Sequence, residues 1–218
     1  MSYEIVRSKR KSVAIYVHRN GGVEVRAPLR MPAALIDEFV VEKQRWILAK
    51  QSEWSSLPAP VLPKYEEGAE HYFLGEPHQI SFQKQPVDKP FIHLRVRNRS
   101  PESLEAALER WYRQQAMDVF TERHQYWCEA LEDFGFPDST IALRKMKRRW
   151  GSCSKKGIIT LNTQLVRYPL ECIDAVIVHE LCHLLVFNHS KAFYRLMDQA
   201  YPRWKQVDQL LKELSYQY

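Results

Sequence analysis

No stretch of 18 uncharged apolar residues occurs in the 218-residue chain, and its opening, MSYEIVRSKRKSV, lacks the apolar core of a secretory signal. Neither a membrane span nor secretion by that route is expected, which leaves the cytoplasm as the expected compartment. Only 4 cysteines are present, at positions 128, 153, 172 and 182, and no two of them form a CxxC pair. A disulfide scaffold is thereby excluded, and reduced thiols are expected. The 7 glycines never assemble into a GxxxxGK phosphate loop. Internal repeats are absent, and low complexity is confined to one proline-rich connector. What remains is 45% hydrophobic and 12% aromatic, enough to bury the core of one large domain or two small ones.

The formal charge of +6 is unevenly placed. Residues 1–30 hold seven Lys/Arg against two Glu, and residues 140–156 hold seven with no acid at all. Arg95, Arg97 and Arg99 form a third cluster. Alternation such as Arg144-Lys145-Met146-Lys147 suits a solvated strand face. It equally suits an anionic partner, whether acidic peptide, nucleotide or nucleic acid. No helix-turn-helix, finger or RNA-binding signature supports the last of these.

Hydropathy patterning predicts a β-rich beginning. Val13, Ile15 and Val17 alternate with polar residues, Asn20-Gly21-Gly22 supplies a turn, and Val23, Val25 and Ala27 alternate back. A helix is predicted from Pro32 to about Trp54, followed by the connector Leu57–Pro63. A second hairpin spans His71 to Phe82, and Phe91–Val96 reads as a further strand. Ser100-Pro101 opens a long helix to about Phe134, whose stripe includes Leu104, Leu108, Trp111, Phe120, Trp127 and Leu131. Strands are expected at Ile141–Lys147 and Ile158–Asn162, with Trp150–Cys153 as a turn between them. The expected division is a β-rich part over residues 1–99 and an α+β core over 100–218.

The chemistry concentrates in His179-Glu180-Leu181-Cys182-His183, followed by His189. Two histidines four apart on a helix share a face and can converge on one metal ion. Glu180 is rotated by about 100° from His179, beside the ion rather than on it. The five-residue motif would arise by chance roughly 2 times in 100 at this composition, and the added histidine lowers that to roughly 1 in 1000. Residues 170–187 are apolar on almost every side, so the helix and its histidine pair should be buried, and each ring then needs a hydrogen-bond or metal partner. Cys182 points away from the histidine face and is expected to be a packed thiol. Asn188 permits a turn that returns His189 to the site, and Ser190 is placed to cap a helix through Phe193, Leu196 and Met197.

In order along the chain, Arg149-Trp150-Gly151-Ser152-Cys153, Ile159-Thr160-Leu161-Asn162, Pro169, the His179–His183 motif and Asn188-His189-Ser190 with Phe193 resemble the YgjP-like metallopeptidase domain family, relatives of the small gluzincin-type zinc metallopeptidases. The resemblance covers most of the chain. It implies a zincin-like α+β core, Zn²⁺ or another divalent metal as cofactor, His179, His183 and His189 as ligands, and Glu180 as the catalytic carboxylate. The spacing of the third histidine also fits metzincins. Those require a glycine where Val186 stands, and with the helix expected to run on to about Asn188 that assignment is rejected.

Such a site activates water, with Glu180 accepting the proton as the water attacks a peptide carbonyl. Arg149, Asn162 and Tyr194 are candidate substrate-binding residues; the resemblance puts the first two near the site without giving them a chemical role. Trp150 is expected to pack in the core. The competing substrate is a nucleoside triphosphate, cleaved as by a pyrophosphatase, with Lys147, Arg148 and Arg149 holding phosphates. Against it stand the missing phosphate loop and the lack of a carboxylate-rich Mg²⁺ site.

Overall fold

A computed structural model of the chain describes residues 2–56, 63–82 and 90–215; the predicted connector Leu57–Pro63 lies, except for Pro63, outside them. Contacts divide the chain into two compact units, residues 1–60 and residues 61–218, rather than near residue 99. Residues 63–99 belong with the second unit because Ile80, Ile92 and Leu94 share one apolar core with Leu108, Phe120 and Ile173.

In the first unit the predicted hairpin forms. Strands β2 (Ala14–Val17) and β3 (Val23–Pro28) pair antiparallel with Val17 opposite Val23. The positive φ of 81° at Gly21 makes the turn. Strand β1 (Glu4–Ser8), which the pattern did not reveal, adds parallel to β3. Its side chains are mostly exposed, so no alternation marks it. Helices α1 (Ala33–Glu42) and α2 (Gln44–Ser56) replace the single predicted helix, with a break at Lys43. Val23, Val25 and Ala27, at alternate positions, pack against Ile36, Val40 and Ile47 from the helices. Leu35 and Trp46, although apolar and at helical spacing with these residues, are exposed.

The second unit is α+β. Strands β4 (Glu70–Phe73) and β5 (Glu76–Ser81) form a hairpin, and β6 (Phe91–His93) runs parallel to β5. Helix α3 (Pro101–Ala130) begins at Ser100, whose hydroxyl accepts from the Ser103 amide, and a short 3₁₀ turn ends at Gly135 in the left-handed conformation. A second sheet has the order β7 (Thr140–Arg144), β9 (Ile158–Asn162), β8 (Gly151–Cys153). The segment predicted as a turn, Trp150–Cys153, is therefore largely an edge strand, held antiparallel to β9 with Ser152 opposite Thr160. Three residues are too few for a period-2 signal, and Gly151 and Ser152 favour turns by composition.

Helix α4 (Leu170–His183) crosses this core with Ile173, Ile177 and Leu181 fully buried. Each such side chain contributes about 1.5–3 kcal/mol of transfer free energy. Asp174 is buried too, and Arg123 of α3 donates Nε and Nη2 to its two oxygens at 2.7 and 2.8 Å. At its start, a Cβ on Gly75 would lie 2.8 Å from Pro169 Cγ, so the tip of the β4–β5 hairpin can abut the helix only with glycine there. Helices α5 (Lys191–Ala200) and α6 (Trp204–Leu214) complete the unit. Among the described residues no helix is long and apolar enough to cross a membrane.

Candidate metal centre and active-site cleft

Helix α4 ends at His183, five residues earlier than predicted, so the helix does not run to Asn188. The last turn tightens, with the Leu184 amide donating to Leu181 O and the Val186 amide to Cys182 O. His183 takes part in this ending, since its Nδ1 lies 3.0 Å from Val186 O. Nδ1–H donates to that carbonyl, which leaves the Nε2 lone pair free to bind a metal. The chain then returns through Asn188, whose Oδ1 accepts from the Ser190 amide at 3.2 Å. Ser190 occupies the cap position of α5, but its side chain makes no cap bond.

This path brings His189 to the helical pair. Ring centroids of His179 and His183 stand 4.8 Å apart, and that of His189 lies 5.1 and 4.7 Å from them. One ligating atom from each falls within 4.8 Å of the others. Tetrahedral Zn–N bonds of about 2.0–2.1 Å would separate the nitrogens by about 3.3 Å, so little closure is needed. The Nε2 atoms of His179 and His189 are 3.1 Å apart. Both atoms therefore point to one place, where a cation would take a lone pair from each ring. All three rings rest on the fully buried Phe193, with centroids 4.5–4.9 Å away. That aromatic base orients them before any ligand arrives.

Burial and the neighbouring rings push the His179 pKa down to about 4, and burial lowers that of His183. Both are neutral at pH 7, as metal ligands must be. Glu180 is only 5% exposed, and burial pushes its carboxyl up to about 7 against the opposing charge of Arg149. Among the described residues its Oε2 has no hydrogen-bond partner. An orphaned, buried carboxylate beside three convergent imidazoles fits a divalent cation and its water.

Strand β8 forms the facing wall. A Cβ on Gly151 would stand 2.5 Å from Glu180 Oε1, so the strand approaches the carboxylate as closely as a backbone can. Between them opens a cleft of about 810 Å³, bordered by Arg149 and Trp150, by Ala175 and Val176 one turn before His179, and by Val207 and Asp208 of α6. Arg149 is exposed at its edge, while Trp150 is half-buried with its ring edge-on to Tyr168 at 4.8 Å. Tyr194 lines the same cleft, 40% exposed and stacked on Trp204.

Asn162 does not line the cleft. It is 3% exposed and its amide is fully engaged. Nδ2 donates to Met146 O and Arg149 O, and Oδ1 accepts from the Met146 and Gln164 amides. No capacity remains for a substrate group. Cys182, as expected, is fully buried on the far side of α4 among Leu131, Val178 and Met197, and burial pushes its thiol up to about 12. Sequence reasoning missed the contributions of α6 and of Gly151 as a wall. The α6 residues lie over 20 positions beyond the motif, and only the Arg149–Cys153 pattern hinted at Gly151.

The sequence pattern of the YgjP-like metallopeptidase domain matches residues 11–214. The chain belongs to the YgjP-like metallopeptidase family. As a family member it is a metal-dependent hydrolase of the metallopeptidase type. Among solved structures, the metallopeptidase zymogen abylysin of Pyrococcus abyssi is similar, at 24% identity and a TM-score of 0.39, over 45% of this chain and 97% of that one. The zymogen jannalysin of Methanocaldococcus jannaschii is similar at 20% identity and a TM-score of 0.37, over 44% and 96% respectively. A comparison with curated proteins finds none that matches.

Proposed function

We propose that His179, His183 and His189 hold a zinc ion and that Glu180 is the general base of peptide-bond hydrolysis. The observation that carries this reading is the convergence of three imidazoles on one point beside a buried carboxylate without a partner. Zinc bound there supplies a Lewis acid and lowers the pKa of a neighbouring water from 15.7 toward about 7. Glu180 takes the proton of that water as it attacks, then delivers it to the amine that leaves, because an amide nitrogen departs only when protonated. Burial keeps its basicity high enough for both transfers. Arg149, at the cleft edge, donates to a substrate carbonyl or carboxylate, and the Tyr194 hydroxyl is a second donor.

A peptide suits the cleft better than a nucleotide. Strand β8 pairs only with β9 among the described residues, so its other edge has main-chain groups to offer an extended chain. Three imidazoles and one carboxylate supply few of the oxygen ligands that magnesium–nucleotide chemistry uses. The basic residues near Arg149 are what favours the phosphoanhydride alternative. The test is metal content together with hydrolysis of unstructured proteins and of a panel of nucleoside triphosphates, run beside Glu180→Gln. Peptide cleavage that falls on the order of 10²–10⁴-fold in the variant, with metal retained, is the expected result. Triphosphate hydrolysis in place of peptide cleavage, lost in the same variant, would transfer the proposal to the alternative substrate.

A further inference from the structure

Arg149 apart, the segment from β7 to β9 carries charge that the hydrolysis itself does not use. All seven Lys/Arg side chains of residues 140–156 are exposed, and no acid lies among them. Lys145 is tied to Glu109 at 2.8 Å. Arg144, Lys147, Lys155 and Lys156 make no ion pair among the described residues. Like charges left side by side repel, and either salt or an anionic partner relieves them.

Their placement distinguishes them from a scattered solvated face. The loop bearing Lys147 and Arg149 leads directly into β8, held in position by the buried Asn162 amide. Lys155 and Lys156 occupy the turn that leaves it, closed by the Gly157 amide donating to Ser154 O. Strand β8 itself is three residues, about 10 Å at a rise of about 3.3 Å each. Its residues Gly151, Ser152 and Cys153 are small and uncharged and border the cleft. Along the chain the neutral strand is thus flanked on both sides by exposed cationic residues, of which Arg149 borders the cleft itself.

We propose that the substrate is an extended, acidic polypeptide: it adds to β8 as a further strand, with Asp or Glu on both sides of a neutral stretch. This rests on the peptidase reading and narrows it to a substrate class. Main-chain hydrogen bonds along β8 give register, and the acidic residues, about four to six positions apart at strand rise, meet Lys147 and Arg149 at one end and Lys155 and Lys156 at the other. A nucleic acid fits less well, since the cationic residues flank a strand edge beside a metallopeptidase centre, where an extended polypeptide is the chain the site would cut.

The experiment uses the full chain loaded with zinc and fluorogenic peptides that share one neutral centre, flanked by Glu, Gln or Lys. Glu-flanked peptides are expected to show kcat/KM at least about tenfold above the Gln series, carried by KM, with the Lys series lowest. Exposed charge pairs are screened, so the spread should shrink between low and moderate salt. The triple reversal K147E/K155E/K156E should invert the order of the Glu and Lys series. Equal cleavage of all three series, at any salt, overturns the proposal while leaving the peptidase reading intact. Cleavage of none, alongside intact unstructured proteins, overturns both. A labelled oligonucleotide that binds in a salt-dependent way and is released by the triple reversal, with no flank preference among peptides, replaces the acidic polypeptide with a nucleic acid.

Discussion

Gly151 and Glu180 occupy space that only a glycine can share. A Cβ at 151 would fall 2.5 Å from one carboxylate oxygen and 2.8–2.9 Å from Cγ and Cδ, well inside contact distance. Because Glu180 is rooted in a buried helix, the carboxylate rather than the helix has to move. Gly151→Ala is therefore expected to retain metal and fold yet lose on the order of 10²-fold in kcat, the cost of misplacing a reacting group by about 1 Å. Steady-state kinetics with metal analysis check this. Unchanged kcat would mean that the carboxylate tolerates displacement and is not the base.

Asn162 acts on the loop rather than on substrate. Its side chain closes four hydrogen bonds, three of them to residues 146 and 149. Asn162→Ala leaves buried backbone groups unpaired and is expected to cost about 2–4 kcal/mol, at about 1 kcal/mol per bond. Asn162→Asp should cost at least as much, since it replaces two donors with an oxygen facing two carbonyls. Urea denaturation measures both. A variant of full stability but raised KM would return Asn162 to the substrate-binding set.

Metal should stabilise the fold through the three imidazoles. Zinc at about 100 times its Kd adds about 2.7 kcal/mol to the folded state, which appears as a rise in Tm. His189→Ala should abolish most of that rise with little change in the metal-free Tm, because His189 is exposed. Cys182→Ala should do the reverse. Its thiol is fully buried away from the histidines, so stability falls by about 1–2 kcal/mol while the zinc-induced shift survives. Thermal scans with and without zinc separate the two.

Acid should weaken the fold partly through His71, far from the cleft in sequence. The ring is 4% exposed, Nε2 lies 2.9 Å from Lys64 O, and burial holds its pKa below the ordinary 6.5. A depressed folded pKa means that the unfolded chain takes up the proton first. The stability is whole above pH 6.5 and is lost as pH falls through the lowered folded value. His71→Gln should flatten that part of the profile between pH 7 and 5. His124, also lowered by burial, leaves a residual slope. Urea midpoints across this range decide it, and an identical slope in the variant refutes the assignment.

The centre was legible in the sequence because its information is local. His179, Glu180 and His183 lie within one helix, and helical geometry alone sets their relation. His189 was legible through a turn signal at Asn188 just beyond them. What escaped notice depends on partners distant in the chain. Strand β8 exists because β9 is there to pair with it, and three residues of Gly-Ser-Cys read locally as a turn. The end of α4 is likewise set by the bond between the His183 ring and Val186 O, which no hydropathy pattern contains. Asn162, an expected substrate contact, proved to be an internal brace, a distinction only its four partners could make. Strand β1, exposed along most of its length, had no pattern to show.

The early stop of α4 divides the three histidines into unequal parts. Two sit on a helix whose core residues admit no play, and the third hangs on a five-residue tail, from Leu184 to Asn188, whose residues are at most half-buried. The proposed metal is thus gripped by an anvil and a clasp. Affinity can be tuned in the clasp beyond Val186, by stiffening or loosening residues 187–188, without disturbing the helix, the carboxylate or the strand that faces it.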